Sequence, residues 1–293
     1  MCPPTARAAL VCLILACPAA RAQIIAYDGF DYPPGQNLAG QNGGIGFTDP
    51  WSGTGPATIA PGSLSTGGLA TTGNSVSFGA AEIITSRHQR TLAAPLGADG
   101  TTRWLSFVMQ RTTGVSAGGG LVIGSPTTQG PAQGLFVGDP TDSEFYGLSQ
   151  QGGAGTPTAS SRVPVTNQAL LVVRLLFAPG NDTFDLFVNP PLGGPPPATP
   201  DASISFDLGT GNRLVELSVT SIGAGAAAYL ADELRIGNTF SDVTPVPEPS
   251  ALLLAGATAG GLFAGRRSAA GRRGLRRPGG ISATARDPAH FAM

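Results

Sequence analysis

Ala169-Leu170-Leu171-Val172-Val173-Arg174-Leu175-Leu176-Phe177-Ala178, then Pro179-Gly180-Asn181-Asp182, then Thr183-Phe184-Asp185-Leu186-Phe187-Val188-Asn189, is the stretch whose reading decides the fold. The first run is apolar apart from Arg174, which fits a central strand buried on both faces. The middle four residues are turn formers: proline presets φ, and Gly and Asn accept left-handed backbone. The third run alternates, with Phe184, Leu186 and Val188 on one face. Together they predict an antiparallel hairpin.

The same period of two recurs on either side. Thr101 to Thr112 predicts a strand with Leu105, Phe107 and Met109 on one face and Trp104, Ser106 and Val108 on the other. Gly118 to Gly124 and Gly134 to Gly138 read as shorter strands. Arg213 to Thr220 alternates again, and Tyr229 to Ile236 reads as the closing strand. Pro190 to Pro200 holds six prolines and is a loop. Sustained helical periodicity is absent between Gln23 and Val243. Many short strands without a fixed repeat predict an all-β protein, two antiparallel sheets packed as a jelly-roll β-sandwich over residues 23–243.

Composition agrees with short strands and tight turns. The 293 residues include Gly 43 and Pro 26, with no G-X-Y period, so collagen is excluded. Charged residues make up 12% and hydrophobic residues 41%, which excludes a chain disordered throughout. There is no lysine. Between Gln23 and Pro245 there are 8 Arg against 16 Asp plus Glu, a net charge of −8. An acidic body argues against nucleic acid as a partner, because phosphate neutralisation needs a basic face. Cys2, Cys12 and Cys17 are the only cysteines.

Residues 1–22 read as a signal peptide. Arg7 supplies the positive end, Ala8 to Ala16 the apolar run, and Ala20-Arg21-Ala22 the small-x-small cleavage site. Cleavage after Ala22 would leave Gln23 first and remove every cysteine, and with them any disulfide or thiolate metal site. At the other end, Val246-Pro247-Glu248-Pro249-Ser250 is followed by the apolar run Ala251 to Ala264, then Gly265, Arg266 and Arg267. Two prolines keep the motif extended and accessible, and the arginines are held on the cytoplasmic side. The apolar run has 14 residues, about 21 Å as a helix, short against a hydrocarbon core of about 30 Å.

This arrangement resembles the PEP-CTERM sorting signal. The resemblance implies a Pro-rich motif over 244–250 and a single short transmembrane helix over 251–265. It also implies processing by an exosortase-type transpeptidase that recognises Pro247, Glu248 and Pro249, with Arg266 and Arg267 completing the signal. Proteins sorted in this way are associated with extracellular polysaccharide and the cell surface of Gram-negative-type bacteria. The basic stretch 266–293 runs past the usual end of such a signal and reads as disordered.

In the body, Tyr27-Asp28-Gly29-Phe30-Asp31-Tyr32-Pro33 with Gly40 to Phe47 and Trp51, and Ala231 to Gly237 with Asp242 to Pro245, are similar to the ends of concanavalin-A/laminin-G-like domains of bacterial surface proteins. That resemblance implies the sandwich and says little about function.

Glycosidases on such a fold place two carboxylates about 5 Å apart. The Glu-x-Asp-x-Glu and Glu-x-Asp-x-x-Glu arrangements of the family's hydrolases are absent, so no catalytic residue is predicted. A divergent secreted glycan hydrolase or lyase is the alternative reading. His88 and His290 are the only histidines, too few for the usual zinc site. Asp139, Asp142 and Glu144 follow Gly138 in a predicted loop, where clustered oxygens could hold Ca²⁺ or simply start turns; no other cofactor is expected. Trp51 and Tyr146, beside Gly/Pro-rich loops, are the candidate sugar-stacking rings. Trp104 and Tyr229 read as core. The expectation is an exported, non-catalytic surface or matrix protein that binds carbohydrate or is structural.

Overall fold

A computed structural model of the protein describes residues 23–80, 85–127, 130–140, 144–151 and 158–246. The signal peptide, the sorting motif Pro247-Glu248-Pro249, the segment 251–265, Arg266, Arg267, the tail and Asp142 lie outside the described residues. Among the described residues no helix is long and apolar enough to cross a membrane.

Among the described residues thirteen strands form in chain order: β1 (Ile24–Asp28), β2 (Ser52–Thr54), β3 (Ala57–Ala60), β4 (Ser75–Gly79), β5 (Ser86–Leu96), β6 (Thr102–Thr127), β7 (Gly130–Asp139), β8 (Phe145–Gln151), β9 (Thr158–Pro164), β10 (Ala169–Leu176), β11 (Asp182–Val188), β12 (Ala202–Phe206) and β13 (Asn212–Gly237). A single turn of helix, α1 (Phe240–Val243), follows. Every strand pairing is antiparallel.

β6 and β13, 26 residues each, pair with one another along most of their length and run through both sheets. The first half of β6 pairs with β10 and with the second half of β13. β11 and β12 extend that sheet on one side, and β4, β3 and β1 on the other. The second half of β6 pairs with β7 and with the first half of β13. β8 and β9 extend this second sheet on one side, β5 and β2 on the other.

The register between β6 and β13 breaks between Ser221 and Ala226, where the pair passes from one sheet to the other. Glycine permits the passage. Gly114 has φ +86, and a Cβ there would run into the Ala226 carbonyl; at Gly119 a Cβ would enter the Tyr229 ring. A glycine-rich run that reads as a break between two strands is therefore the bend of a single long one.

Leu105, Phe107 and Met109 of the first sheet face Leu121, Ile123, Val137, Leu148, Val215 and Leu217 of the second across one core. The predicted hairpin is present, with Val172 opposite Phe187 and Val173 opposite Leu186. The outer face of the first sheet is covered as well. Trp104, Val108, Leu170, Val172 and Phe187 pack under Leu64, Leu69, Phe240 and Val243. That second layer explains why β10 is apolar on both faces. The stretch Arg87 to Arg90 lies between β13 and β2, with His88 and Arg90 buried.

Candidate functional site

Trp51 and Tyr146 are both buried and cannot serve as a sugar platform. Trp51 stacks on Phe30 with ring centroids 5.9 Å apart, and its indole N–H donates to Asp28 Oδ2 at 2.8 Å. The same oxygen accepts from Tyr32 Oη at 2.7 Å and Arg90 Nη1 at 2.9 Å, while Oδ1 accepts the Phe30 amide at 2.9 Å. Arg90 also donates to the Gly43 and Asp49 carbonyls and lies 4.3 Å from the Phe47 ring centroid. This cluster ties the irregular segment 30–51 to β5. The Tyr146 hydroxyl lies among the carbonyls of Met109, Val165 and Asn167, 2.7–3.1 Å away. Both rings spend their polar end on the fold, as buried Trp and Tyr commonly do.

Two of the candidate calcium ligands, Asp139 and Glu144, share a protein cation. Arg111, 4% exposed, donates to Asp139 Oδ2 at 3.1 Å and forms a two-pronged pair with Glu144. The Tyr229 hydroxyl donates to Asp139 at 2.8 Å. Burial pushes Asp139 up to about 6 against the pull of Tyr229 and Arg111. The hydrogen bond from Arg111 lowers Glu144. The guanidinium is held between the two carboxylates, and among the described residues no three acidic, histidine or cysteine groups are placed to hold a metal.

The acids near the chain ends are likewise absorbed. Asp28 and Asp232 do not share a site. Asp232 accepts from Ser63 Oγ at 2.5 Å and from the Leu64 amide at 2.8 Å. Glu233, at φ +55, accepts from the Thr72 amide and pairs with Arg235, whose guanidinium lies 4.3 Å from the Tyr27 ring centroid.

On the outer face of the second sheet, Glu216 is the one carboxylate among the described strand residues. It bonds Arg87 Nε at 3.0 Å. Burial raises its pKa against the pull of Arg87.

A ligand-sized opening remains on the outer face of the first sheet. Trp104 stacks on Phe187 (centroids 6.1 Å) and meets Phe240 edge-on (5.3 Å). Trp104 is buried, and its edge helps line an opening of about 330 Å³ together with Gly194, Pro195, Pro196, Asn238, Thr239 and Ser241. A second cavity of about 220 Å³ lies across the same proline-rich loop, between Thr66, Gln168, Asn189 and Leu192. Among the described residues that line them, neither cleft has a charged side chain. The sequence names Trp104 as a core residue, which it is. It does not reveal that the 190–200 loop and the residues after β13 come together over its edge.

No family model and no curated protein matches this chain. Similar solved structures include an endo-1,3-β-glucanase from Streptomyces sioyaensis, with 10% identity and a TM-score of 0.49 over 75% of this chain and 97% of that one. A family 16 glycosyl hydrolase from Mycobacterium smegmatis shows 13% identity and a TM-score of 0.44, over 73% and 99%. A legume lectin-like domain from Entamoeba histolytica shows 13% identity and 0.39, over 64% and 90%. The sandwich architecture stands on the strand pairing above, and no activity is carried over from these proteins.

Proposed function

We propose that this is an exported, non-catalytic protein of the cell surface or extracellular matrix, sorted by an exosortase-type transpeptidase, whose sandwich binds neutral carbohydrate at the Trp104 cleft. The export and sorting half rests on the terminal signals. The binding half rests on one observation: an uncharged cleft lined by prolines, the edge of the buried Trp104, and amide and hydroxyl groups. Apolar walls with a few convergent polar groups suit a pyranose ring, which offers C–H faces to the former and hydroxyls to the latter.

Gly194 offers a direct test, because a Cβ there meets nothing within 4 Å. Gly194→Trp is expected to fill the cleft and weaken binding to a panel of neutral oligosaccharides at least tenfold, with the melting temperature nearly unchanged. Unaltered binding by a folded Gly194→Trp protein would reject this site. Sorting is tested by intact mass in hosts with and without the matching exosortase. The mature chain is expected to end near Pro249 only when the enzyme is present. Retention of residues 250–293 in both hosts would remove the sorting half.

A further inference from the structure

The start of β1 and the segment after β13 meet at a carboxylate. The backbone nitrogen of Gln23 donates to Asp242 Oδ1 at 2.9 Å. Oδ2 of the same carboxylate accepts the amides of Asn238 at 3.0 Å and Thr239 at 2.8 Å. Asp242 is 5% exposed, and Gln23 itself is exposed. Gln23 is also the residue that cleavage after Ala22 would place first. In the uncleaved chain its nitrogen is a neutral amide; after cleavage it is an ammonium.

We infer that the α-ammonium of mature Gln23 is bound by Asp242 as an ion pair, so that removal of the leader completes a charged clasp between the two ends of the sandwich. This rests on the export reading. The geometry is already set: one oxygen of the carboxylate is occupied by two amides, and the other faces the Gln23 nitrogen. Cleavage exchanges a neutral donor for a charged one at the same distance, and charge-assisted bonds are roughly twice as strong as neutral ones. Asn238 Nδ2 also donates to Gln23 Oε1 at 3.3 Å and to its carbonyl at 3.5 Å, both uncharged contacts.

The clasp has a chemical consequence. An amino-terminal glutamine cyclises when its neutral amine attacks its own Cδ, forming the N–Cδ bond and expelling the side-chain nitrogen as ammonia. An amine held as ammonium lacks the lone pair for that attack.

The sequence contains no lysine, so the mature α-amine is the protein's only primary amine and can be read without background. The full gene is expressed in an exporting Gram-negative host, and the amino terminus is determined by mass spectrometry. The purified protein is then acetylated with an amine-reactive ester at neutral pH, native and unfolded in urea. The native amine is expected to react about tenfold more slowly than the unfolded one, the factor of one pKa unit. Asp242→Asn, which keeps an acceptor oxygen for the helix cap, is expected to restore most of the reactivity. A chain that starts at Gln23 but reacts equally fast when native and when unfolded overturns the clasp alone. A chain that keeps residues 1–22 overturns the export reading and the clasp with it. The wild-type comparison does not depend on the variant folding.

Discussion

Asp28→Ala is expected to destabilise the protein by about 3–5 kcal/mol, the range for removing one partner of a buried ion pair. Asp28 is 1% exposed and Arg90 3%. The substitution strands the guanidinium in the interior and also removes the acceptor for the Trp51 indole, the Tyr32 hydroxyl and the Phe30 amide. Each stranded buried donor costs about 1–3 kcal/mol, though such losses do not add. Domains of ordinary size are stable by about 5–15 kcal/mol, so a large share is at stake. Asp31, three residues on and exposed, serves as the control: Asp31→Ala should stay within about 0.5 kcal/mol. The double variant Asp28→Ala/Arg90→Met should recover part of the loss, because no unpaired charge remains. Urea unfolding measures all three. A loss below about 1 kcal/mol for Asp28→Ala would mean that the cluster does not hold segment 30–51 to β5.

The same cluster marks the limit of what the sequence discloses. Strand positions and faces were legible because alternation is a local signal: Leu105, Phe107 and Met109 face the core, and Trp104 and Val108 the other way, as their spacing requires. The hairpin of β10 and β11 was legible for the same reason. Side-chain partners were not, because they come from distant segments. Asp139 and Glu144 resemble a loop of cation ligands until Arg111 of β6 is placed between them. Trp51 resembles an exposed ring beside a Gly/Pro-rich loop until Asp28 and Phe30 are brought to it. An arginine paired with a distant acid carries no periodic signature. The continuous course of β6 was hidden for another reason. Its central glycines are turn formers by propensity, and only the close approach of Ala226 and Tyr229 shows why a strand needs them there.

The buried acids make a second large effect visible in pH. Burial pushes Asp232 up to about 7, outweighing the bonds from Ser63 and Leu64, and Asp139 up to about 6. An unfolded aspartate titrates near 3.9. Between those values the folded protein holds protons that the unfolded chain has released, so stability falls as pH rises. The contribution of Asp232 is full below about pH 4 and is lost by about pH 7. Asp182 and Glu216, also raised by burial, act in the same direction. His88 opposes them. Burial lowers its pKa, so the folded state resists the proton that the unfolded chain takes up below about 6.5. The net expectation is a protein about 1–2 kcal/mol more stable near pH 5.5 than at pH 8, since each proton held differentially is worth about 1.4 kcal/mol per pH unit. Asp232→Asn isolates the principal term. Relative to wild type, the variant should gain about 2–3 kcal/mol between pH 5 and pH 8, because it no longer deprotonates inside the fold. Urea unfolding at both pH values reads the difference directly. A wild type that gains stability from pH 5.5 to pH 8, with Asp232→Asn running parallel to it, would show that Asp232 is ionised throughout and that its bonds to Ser63 and Leu64 outweigh its burial.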